Sequence, residues 1–347
     1  MRALYFSEHG NPNVLQYGEV ADPIIAAEDV IVRVRASALN RIDVVQRAGT
    51  YTVPGFQLPH IGGLDVAGEI EQLGATVQHQ GQWQIGDRVV INPSLSAVSA
   101  ESHFANRGDL YGELGVIGLN AQGGHADLCA APASHIFRIP DHIDFDSAAA
   151  FPTAWMTAHH GLFSVGALNK NETVLIHAAA SGVSSAAIQL AKAAGARVLA
   201  TAGSTEKCAH ATMLGADAVL NNRTADITSW VYECTEGVGA NMVFDHVGPA
   251  LWQASLFAMA PQGRLVSCGN TTGDSAVLPS LGHLFSQGLQ IRGCDAYRFA
   301  EFAPTWKQFC DGAFNPCIDS SYDLRAGIQA HKRLEHDQAI GKIILKP

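Results

Sequence analysis

The sequence lacks several features that mark other classes of protein. It has no run of basic residues and carries a formal net charge of −10, so its charge indicates neither a nucleic acid nor an anionic membrane as partner. No stretch approaches the roughly 20 apolar residues of a membrane span. Residues 1–13 also lack the long apolar segment of a secretory signal. These absences predict a cytoplasmic chain without a nucleic-acid or membrane partner.

Cysteine is sparse and scattered. The seven cysteines lie at positions 129, 208, 234, 268, 294, 310 and 317. An odd count without framework spacing is typical of reduced thiols in a cytosol. No CxxC pair occurs, so the spacing indicates neither a zinc knuckle nor a redox dithiol.

The length of 347 residues predicts two domains. Residues 1–140 alternate short β-like runs with glycine and proline turns and contain no long amphipathic helix, which is typical of a compact, mostly antiparallel β domain. The β-like runs cover 3–6, 30–34, 66–70 and 86–91. Residues 92–124 are poor in strand signals and are expected to form a loop.

After a helical, alanine-rich stretch at 145–163, strand and helix patterns alternate. Strands are predicted at 173–177, 197–201, 218–220, 241–246, 263–268 and 289–293, and helices at 183–194, 206–214, 224–235 and 249–260. This alternation predicts a doubly wound parallel sheet that binds a dinucleotide. The chain should end with helices at 303–312 and 324–334 and a strand at 341–345.

The turn after the first of these strands is the candidate phosphate site, because a small-residue turn lets a diphosphate approach backbone N–H groups and a helix N-terminus. Of the usual G-x-G-x-x-G glycines only Gly182 remains, and Ser184 has no evident reason to replace a glycine. Plain helix packing would also need small residues here. The residues expected to hold the diphosphate are Ala180, Ser181, Gly182 and Val183.

The end of the second strand indicates which dinucleotide binds. An NAD site usually has an acid there, about 20 residues past the turn, whereas residues 201–204 read Thr-Ala-Gly-Ser. Ser204 and Lys207 could receive a 2′-phosphate, which favours NADP(H). The alternative is that Lys207 is only a solvated helix residue. Turns after the fourth and fifth strands should also reach the cofactor, at His246, Val247, Cys268, Gly269 and Asn270.

Several segments together resemble the medium-chain dehydrogenase/reductase superfamily. They are EDVIVRVRASALNRIDVVQRAGTY, LPHIGGLDVAGEIEQLG, GDRVVINP, HAAASGVSSAAIQLAKAAGARVLATAGSTEK, VFDHVG and GKIILKP. The resemblance implies an α/β protein with a GroES-like, β-rich catalytic domain at 1–142 and 297–347. It also implies a Rossmann domain at 143–296, with a doubly wound parallel six-stranded sheet, and an active site between the two domains.

This superfamily has a zinc-dependent and a zinc-free branch, and the ligand places favour the zinc-free, quinone oxidoreductase-like branch. Asn40 and Leu64 stand where the zinc branch has cysteine and histidine, and 151–158 offers no third ligand. A catalytic zinc needs about three protein ligands. The places of the structural-zinc cysteines read Ala97, Ala100, His103 and Tyr111. A rearranged metal site is an alternative, among His60, His125, His159, His160 and His177.

Without a Lewis acid, the expected chemistry is hydride delivery from NADPH to an already electrophilic carbon, as in a quinone or an α,β-unsaturated carbonyl compound. The resemblance to quinone oxidoreductases implies the same reaction. Asn40 would then donate a hydrogen bond to the developing oxyanion. Asp43 would either orient a neighbour or form a loop ion pair with an arginine such as Arg41.

Three other side chains are candidates with two interpretations each. Tyr51 would line the cleft or donate a proton, or would act only as an aromatic lid or in packing. Thr153 would contact the nicotinamide or cap the following helix. Lys342 matches a basic position that in the family reaches the pyrophosphate, or it is a surface lysine on an edge strand.

Two other functions stay open at this point. One is an alcohol dehydrogenase with an unrecognised metal, and the other is a non-catalytic NADPH-binding redox sensor. The resemblance also implies a homodimer that pairs through an edge of the Rossmann sheet, for which 289–291 is the candidate strand.

Overall fold

The structure is a computed structural model that describes residues 1–94, 115–294 and 297–347. The four places compared with structural-zinc cysteines, at 97, 100, 103 and 111, lie outside the described residues. The chain divides into two compact units. The first comprises Met1–Thr153 and Arg298–Pro347, and the second comprises Ala154–Tyr297. Within the described residues, no helix has the length and apolar character needed to cross a membrane.

The strands are β1 (Arg2–Phe6), β2 (Leu15–Glu19), β3 (Asp29–Leu39), β4 (His60–Ile61), β5 (Asp65–Leu73), β6 (Arg88–Ile91), β7 (Leu128–Pro132), β8 (Ile136–Arg138), β9 (Thr173–Ile176), β10 (Arg197–Ala202), β11 (Ala218–Asn221), β12 (Ala240–Asp245), β13 (Met259–Ser267), β14 (Gln290–Gly293), β15 (Ile318–Asp323) and β16 (Lys342–Lys346). The α-helices are α1 (Arg41–Ala48), α2 (Ala75–Gln80), α3 (Phe145–Ala149), α4 (Pro152–His159), α5 (Gly182–Ala193), α6 (Thr205–Met213), α7 (Ile227–Cys234), α8 (Pro249–Phe257), α9 (Leu281–Gln287), α10 (Phe299–Cys310) and α11 (Gly327–Glu335).

The first unit is built on a mixed sheet in the order β15-β16-β3-β5-β6-β8, with β7 also paired to β3. All of its pairs are antiparallel except β15 with β16. The long strand β3 alternates buried valines, Val30, Val32 and Val34, which pack into one core with Val66 and Ile70 of β5. Ile31, between two of these valines, is buried as well, so this part of β3 is covered on both faces. The predicted β-rich domain is confirmed.

Helix α1 is one of the elements of this unit that the apolar pattern did not predict. It is eight residues long and is followed by its C-cap, Gly49, which adopts a left-handed conformation at φ 79°. Its buried residues include Asp43, Gln46 and Arg47 as well as Val44. Because polar side chains occupy the buried face, the hydrophobic periodicity that identifies an amphipathic helix is weak here.

The second unit contains a six-stranded parallel sheet in the order β11-β10-β9-β12-β13-β14. Its central strands are buried on both faces, as in Val174, Leu175 and Ile176 of β9, which is why they read as continuous apolar runs. Strand order reverses between β9 and β12, the place where doubly wound folds bind ligands. The predicted α/β fold class is confirmed.

Candidate functional site

A buried ion pair lies at the centre of the first unit. The ammonium of Lys342, at the start of β16, donates to Asp65 Oδ2 at 2.9 Å and to Asn40 Oδ1 at 2.6 Å. The amide of Asn40 in turn donates to Asp65 Oδ2 at 3.0 Å. All three side chains are buried. This charge-compensated trio forms because the antiparallel pairing brings β16 and β5 to opposite sides of β3, next to the residue that precedes α1.

Asp65 is the residue of this group that the sequence did not identify. Its other oxygen, Oδ1, accepts hydrogen bonds from the backbone N–H of Thr153 at 2.9 Å and from the Thr153 hydroxyl at 2.5 Å. Thr153, a predicted nicotinamide contact, therefore orients this carboxylate. The only signal in the sequence was an acid beside Leu64 in a short, otherwise apolar stretch, LDVAG.

Asp43 accepts hydrogen bonds from two backbone N–H groups next to this trio. One oxygen accepts the backbone N–H of Asn40 at 2.7 Å and the other accepts that of Gly63 at 2.9 Å. Arg41, the alternative partner, pairs instead with Asp337 at 2.5 Å. Burial raises the pKa of Asp43 to about 7, against the opposing effect of the two backbone hydrogen bonds and the Lys342 charge. Asp43 therefore orients Asn40 and carries a carboxyl that titrates near neutral pH.

The Asp43 carboxyl should make stability fall with rising pH. Its pKa lies near 3.8 when unfolded and about 7 when folded, so its contribution is full below pH 4 and is lost as pH rises through 7. We expect the free energy of unfolding, relative to that of Asp43→Asn, to fall by a few kcal/mol between pH 4 and 8. Urea unfolding of both proteins at a series of pH values measures the difference. Parallel pH profiles would contradict this assignment.

Leu64 and Tyr51 are two further residues that the sequence analysis singled out in this unit. Leu64, at the second metal-ligand place, packs in a small buried cluster with Val53, Val116 and Leu119. Tyr51 follows α1 and is partly exposed, with 38% of its surface accessible. This exposure suits a residue that contacts a ligand or covers one.

A second buried polar cluster lies behind α1. The guanidinium of Arg47 pairs with Glu335 of α11. Its Nε and Nη1 atoms, both ring nitrogens of His331 and Nε2 of His125 have no hydrogen-bond partner among the described residues. Burial lowers the pKa of His125 to about 3 and lowers that of His331 as well, so both imidazoles are neutral. Ordered water is the usual partner of such atoms.

In the second unit, the turn between β9 and α5 is fixed by a serine–histidine network. Ser181 is the N-cap of α5, and its Oγ accepts the backbone N–H of Ser184 at 3.0 Å. The Ser184 hydroxyl donates to the carbonyl oxygen of His177 at 2.6 Å and lies 2.9 Å from Nε2 of His246. Since the single Ser184 hydrogen is used, His246 must donate from Nε2. Ser184 thus ties the phosphate turn to the end of β12, which a glycine could not do.

Ser184→Gly, which restores the usual glycine, is expected to lower the free energy of unfolding by about 1–3 kcal/mol. The change leaves the buried His177 carbonyl without its donor and adds the helix cost of glycine. Ser184→Ala removes the hydroxyl but keeps helix propensity, so it should show most of the loss. Urea denaturation of the two variants measures both contributions. A Ser184→Gly protein as stable as the parent would contradict the role of this hydroxyl.

His177 is structural in its geometry. Its Nδ1 lies 2.8 Å from the Thr201 hydroxyl and its Nε2 lies 3.0 Å from the Ser255 hydroxyl. The Ser255 hydroxyl donates its own hydrogen to the Leu251 carbonyl oxygen. The imidazole of His177 therefore donates from Nε2 and accepts at Nδ1. Burial lowers the pKa of His177 to about 3, which keeps the ring neutral between β9, β10 and α8.

The carboxyl end of β10 carries the groups expected at the adenosine ribose. Ser204 is the N-cap of α6, and its Oγ accepts the backbone N–H of Lys207 at 3.3 Å. A second basic candidate was missed from the sequence. Arg223 lies after β11, and its Nε is 3.1 Å from where a side chain on Gly203 would begin. Its guanidinium forms no ion pair with any carboxylate in the described part of the chain.

The turns after β12 and β13 are joined to each other. Thr271 and Thr272 donate from backbone and hydroxyl to the carbonyl oxygens of His246 and Val247. The backbone N–H of Val247 is also taken, by Asp245 Oδ1 at 2.7 Å. The backbone N–H groups of Gly269 and Asn270 find no acceptor among residues 1–94, 115–294 and 297–347. These two amides are therefore the donors that this edge can offer to a ligand.

The histidines named as alternative metal ligands are dispersed. His60 Nε2 lies 2.9 Å from the carbonyl oxygen of Gly118, and His159 packs edge-on against the ring of Phe163. Over the described ranges, no group of three or more His, Cys, Asp or Glu side chains is arranged to hold a metal ion. The resemblance would place the first two zinc ligands at Asn40 and Leu64. The amide oxygen of Asn40 already binds the Lys342 ammonium, and a leucine side chain has no donor atom.

Comparisons with known proteins bear on both units. Residues 26–141 match the family model of the alcohol dehydrogenase GroES-like domain, and residues 182–311 match that of the zinc-binding dehydrogenases. A quinone oxidoreductase of Pseudomonas aeruginosa is 30% identical, over 100% of this chain and 99% of its own length.

Solved structures give the same similarity. A crystal structure described as an NAD-dependent alcohol dehydrogenase superposes with a TM-score of 0.93 at 34% identity, covering 100% of both chains. The quinone oxidoreductase of Escherichia coli, solved in complex with NADPH, superposes with a TM-score of 0.81 at 27% identity, also over 100% of both chains.

Proposed function

This chain belongs to the medium-chain dehydrogenase/reductase superfamily, in its quinone oxidoreductase-like branch, and we propose that it is an NADPH-dependent oxidoreductase that needs no metal. Its acceptor is a quinone or an α,β-unsaturated carbonyl compound. The observation that carries this proposal is the buried Lys342 ammonium, 2.6 Å from Asn40 Oδ1.

The position of the Lys342 ammonium disfavours zinc binding at Asn40. Asn40 stands at the first ligand place of the zinc branch, and its amide oxygen is already bound to a buried positive charge. A Zn²⁺ ion at that oxygen would meet strong like-charge repulsion in a poorly solvated site, and Leu64 supplies no ligand. The donor set therefore does not fit zinc, and we derive no step through a metal.

The choice of NADPH rests on the second unit. Ser181 Oγ accepts the backbone N–H of Ser184. His246 Nε2, 3.0 Å from Ser181 Oγ, carries its own hydrogen and cannot accept one, so the Ser181 hydroxyl hydrogen stays available to a phosphate oxygen. Gly182 begins a twelve-residue helix, whose N-terminus favours an anion. Arg223 and Lys207 supply positive charge near Ser204, where an NAD site would have an acid. The NADPH complex of the Escherichia coli relative supports the same cofactor.

NADPH, when bound, supplies the hydride. On the acceptor side, both amide hydrogens of Asn40 are engaged, by Asp65 at 3.0 Å and by the carbonyl oxygen of Ala38 at 3.3 Å. Asn40 therefore has no hydrogen left to donate to the acceptor, and we assign the hydrogen bond expected of it to Lys342. Lys342 has a third N–H with no acceptor among the described residues, and in this proposal it stabilises the developing oxyanion. The family's pyrophosphate contact is the alternative use of that N–H.

The proposal is tested by NADPH consumption with a panel of quinones and enones, together with metal analysis of the purified protein. We expect turnover with at least one acceptor and no loss of activity after chelation. Stoichiometric zinc with activity lost on chelation would favour the metal-dependent alcohol dehydrogenase. Tight NADPH binding without turnover on any acceptor would favour the redox sensor.

The partner in this proposal is a second copy of the chain. Strand β14 is an edge of the parallel sheet, and Ile291 on it is 43% exposed. The neighbouring helix α9 also exposes Leu281 and Phe285, one helical turn apart. An unpaired strand edge beside exposed apolar side chains is suited to pairing with another copy in a two-fold dimer.

Phe285→Asp is expected to convert the dimer to a monomer, because it places a charge in a desolvated apolar contact. Size-exclusion chromatography with light scattering measures the mass directly. Met213→Asp is a matched control, since Met213 is 74% exposed on α6 and Phe285 is 78% exposed on α9. A parent protein that elutes as a monomer would remove the dimer from the proposal.

A further inference from the structure

The structure brings together two cysteines that are 26 positions apart in the sequence, Cys268 and Cys294. Strands β13 and β14 pair in parallel, with Ser267 opposite Gly293. Pairing continues one residue past both strands, because the backbone N–H of Cys294 donates to the carbonyl oxygen of Ser267 at 2.8 Å. The two cysteines therefore occupy the next opposed positions. Neighbouring strands lie about 4.8 Å apart, within the Cα range of a disulfide, roughly 4.4–6.8 Å.

The environment of the pair suits a dithiol. Both residues are cysteines outside any disulfide in this structure. Burial raises the pKa of Cys268, and the nearby thiol of Cys294 and the carboxylate of Asp245 raise it further. Gly161 lies beside Cys294, since a side chain there would begin 3.3 Å from the Cys294 sulfur. Cys234 lies on a different element, at the end of α7, and serves as the control cysteine in the test below.

We propose that Cys268 and Cys294 are a modification site, a dithiol that hydroperoxides convert to a reversible disulfide between β13 and β14. Cys294 is oxidised first. Its sulfur displaces water or an alcohol from the peroxide and becomes a sulfenic acid, Cys–SOH. The Cys268 thiol then attacks that sulfur, the S–S bond forms, and water leaves with the thiol proton. Hydroquinones generate such peroxides when they reduce molecular oxygen.

The site also has a relation to the proposed cofactor. Cys268 is followed by Gly269 and Asn270, whose backbone amides are the available donors at this edge of the sheet. If NADPH binds there, it covers the dithiol, and only the unbound protein is oxidised. By mass action, oxidation should be about tenfold slower at an NADPH concentration about ten times its Kd.

The test is peroxide treatment of the full-length protein, followed by alkylation and mass spectrometry. We expect a loss of two hydrogen atoms, one disulfide-linked peptide pair containing Cys268 and Cys294, and full reversal by dithiothreitol. Cys294→Ser and Cys294→Ala should each abolish the disulfide, whereas Cys234→Ser should leave it unchanged. Oxidation that ends at sulfenic or sulfinic acid, or a disulfide to any other cysteine, would overturn the proposal.

The cofactor arm separates this inference from the proposed function. A disulfide that forms at the same rate with and without NADPH supports the dithiol and counts against a cofactor site at this edge. A tenfold slower reaction with NADPH supports both. The mass measurement needs no turnover, so an inactive protein would still report whether the disulfide forms.

Discussion

Lys342→Met is expected to lower the free energy of unfolding by about 3–5 kcal/mol, the cost of leaving one charge of a buried pair without its partner. The buried carboxylate of Asp65 loses its counter-ion, 2.9 Å away, and keeps only its bonds to Asn40 and Thr153. If Lys342 stabilises the oxyanion of the acceptor, kcat should also fall by about 100- to 1,000-fold. Urea unfolding and steady-state turnover measure the two effects separately.

Two further variants show whether the loss of stability in Lys342→Met is due to the burial of its charge pair. Lys346→Met removes a lysine from the same strand, but this one is 47% exposed and pairs with Asp146 at 2.7 Å, so its loss should cost at most about 1 kcal/mol. The double variant Lys342→Met with Asp65→Asn removes both charges and should recover most of the lost stability without recovering activity. A Lys342→Met protein that keeps full turnover would assign the lysine to stability alone.

The lysine also illustrates what the sequence could and could not reveal. The motif GKIILKP placed Lys342 on a late strand and suggested a functional contact. Its actual neighbours, Asn40 and Asp65, are 302 and 277 positions away. They are brought together by antiparallel registers that the apolar pattern of a strand does not encode. Asp65 was missed for the same reason, since an acid in a strand becomes meaningful only once its partners are known.

The fold of the second unit was more predictable because its parallel strands are apolar runs separated by helices. Strand β9 was predicted at 173–177 and is observed at Thr173–Ile176. Strand β13 was predicted at 263–268 but begins at Met259. Pro261 and Gly263 lie in its first half, and both residues are unfavourable inside strands. Its register also shifts opposite Ala240. An irregular strand of this kind has no clear sequence pattern.

The cofactor site was predictable in outline, and its side-chain chemistry was not. The small residues after β9 indicated a phosphate turn, whereas the reason for Ser184 appeared only with His177 and His246 in place. The dithiol shows the same limit. The absence of a CxxC pair suggested no redox dithiol, yet strand pairing sets Cys268 opposite Cys294. Spacing in the sequence finds pairs on one element, and sheet register is needed to find pairs across two.

Arg223 is the residue on which the choice between NADPH and NADH should depend most. It lies after β11, with its guanidinium against Gly203 at the end of β10. An arginine there can make charge-assisted hydrogen bonds to a 2′-phosphate, each contributing about 1.5–3 kcal/mol. Arg223→Ser should therefore raise the Kd for NADPH by about 10- to 100-fold. The Kd for NADH, which lacks that phosphate, should change less than about twofold.

Fluorescence titration with both nucleotides measures these constants without requiring turnover. Arg197→Ser is the matched control, because Arg197 is an exposed arginine at the opposite, amino end of β10, and it should leave both values unchanged. Lys207→Ala in the Arg223→Ser background tests whether the second cation contributes, with a further loss expected for NADPH only. Tighter binding of NADH than of NADPH by the parent protein would contradict the proposed cofactor. Such a preference would match the description of the structural relative as NAD-dependent.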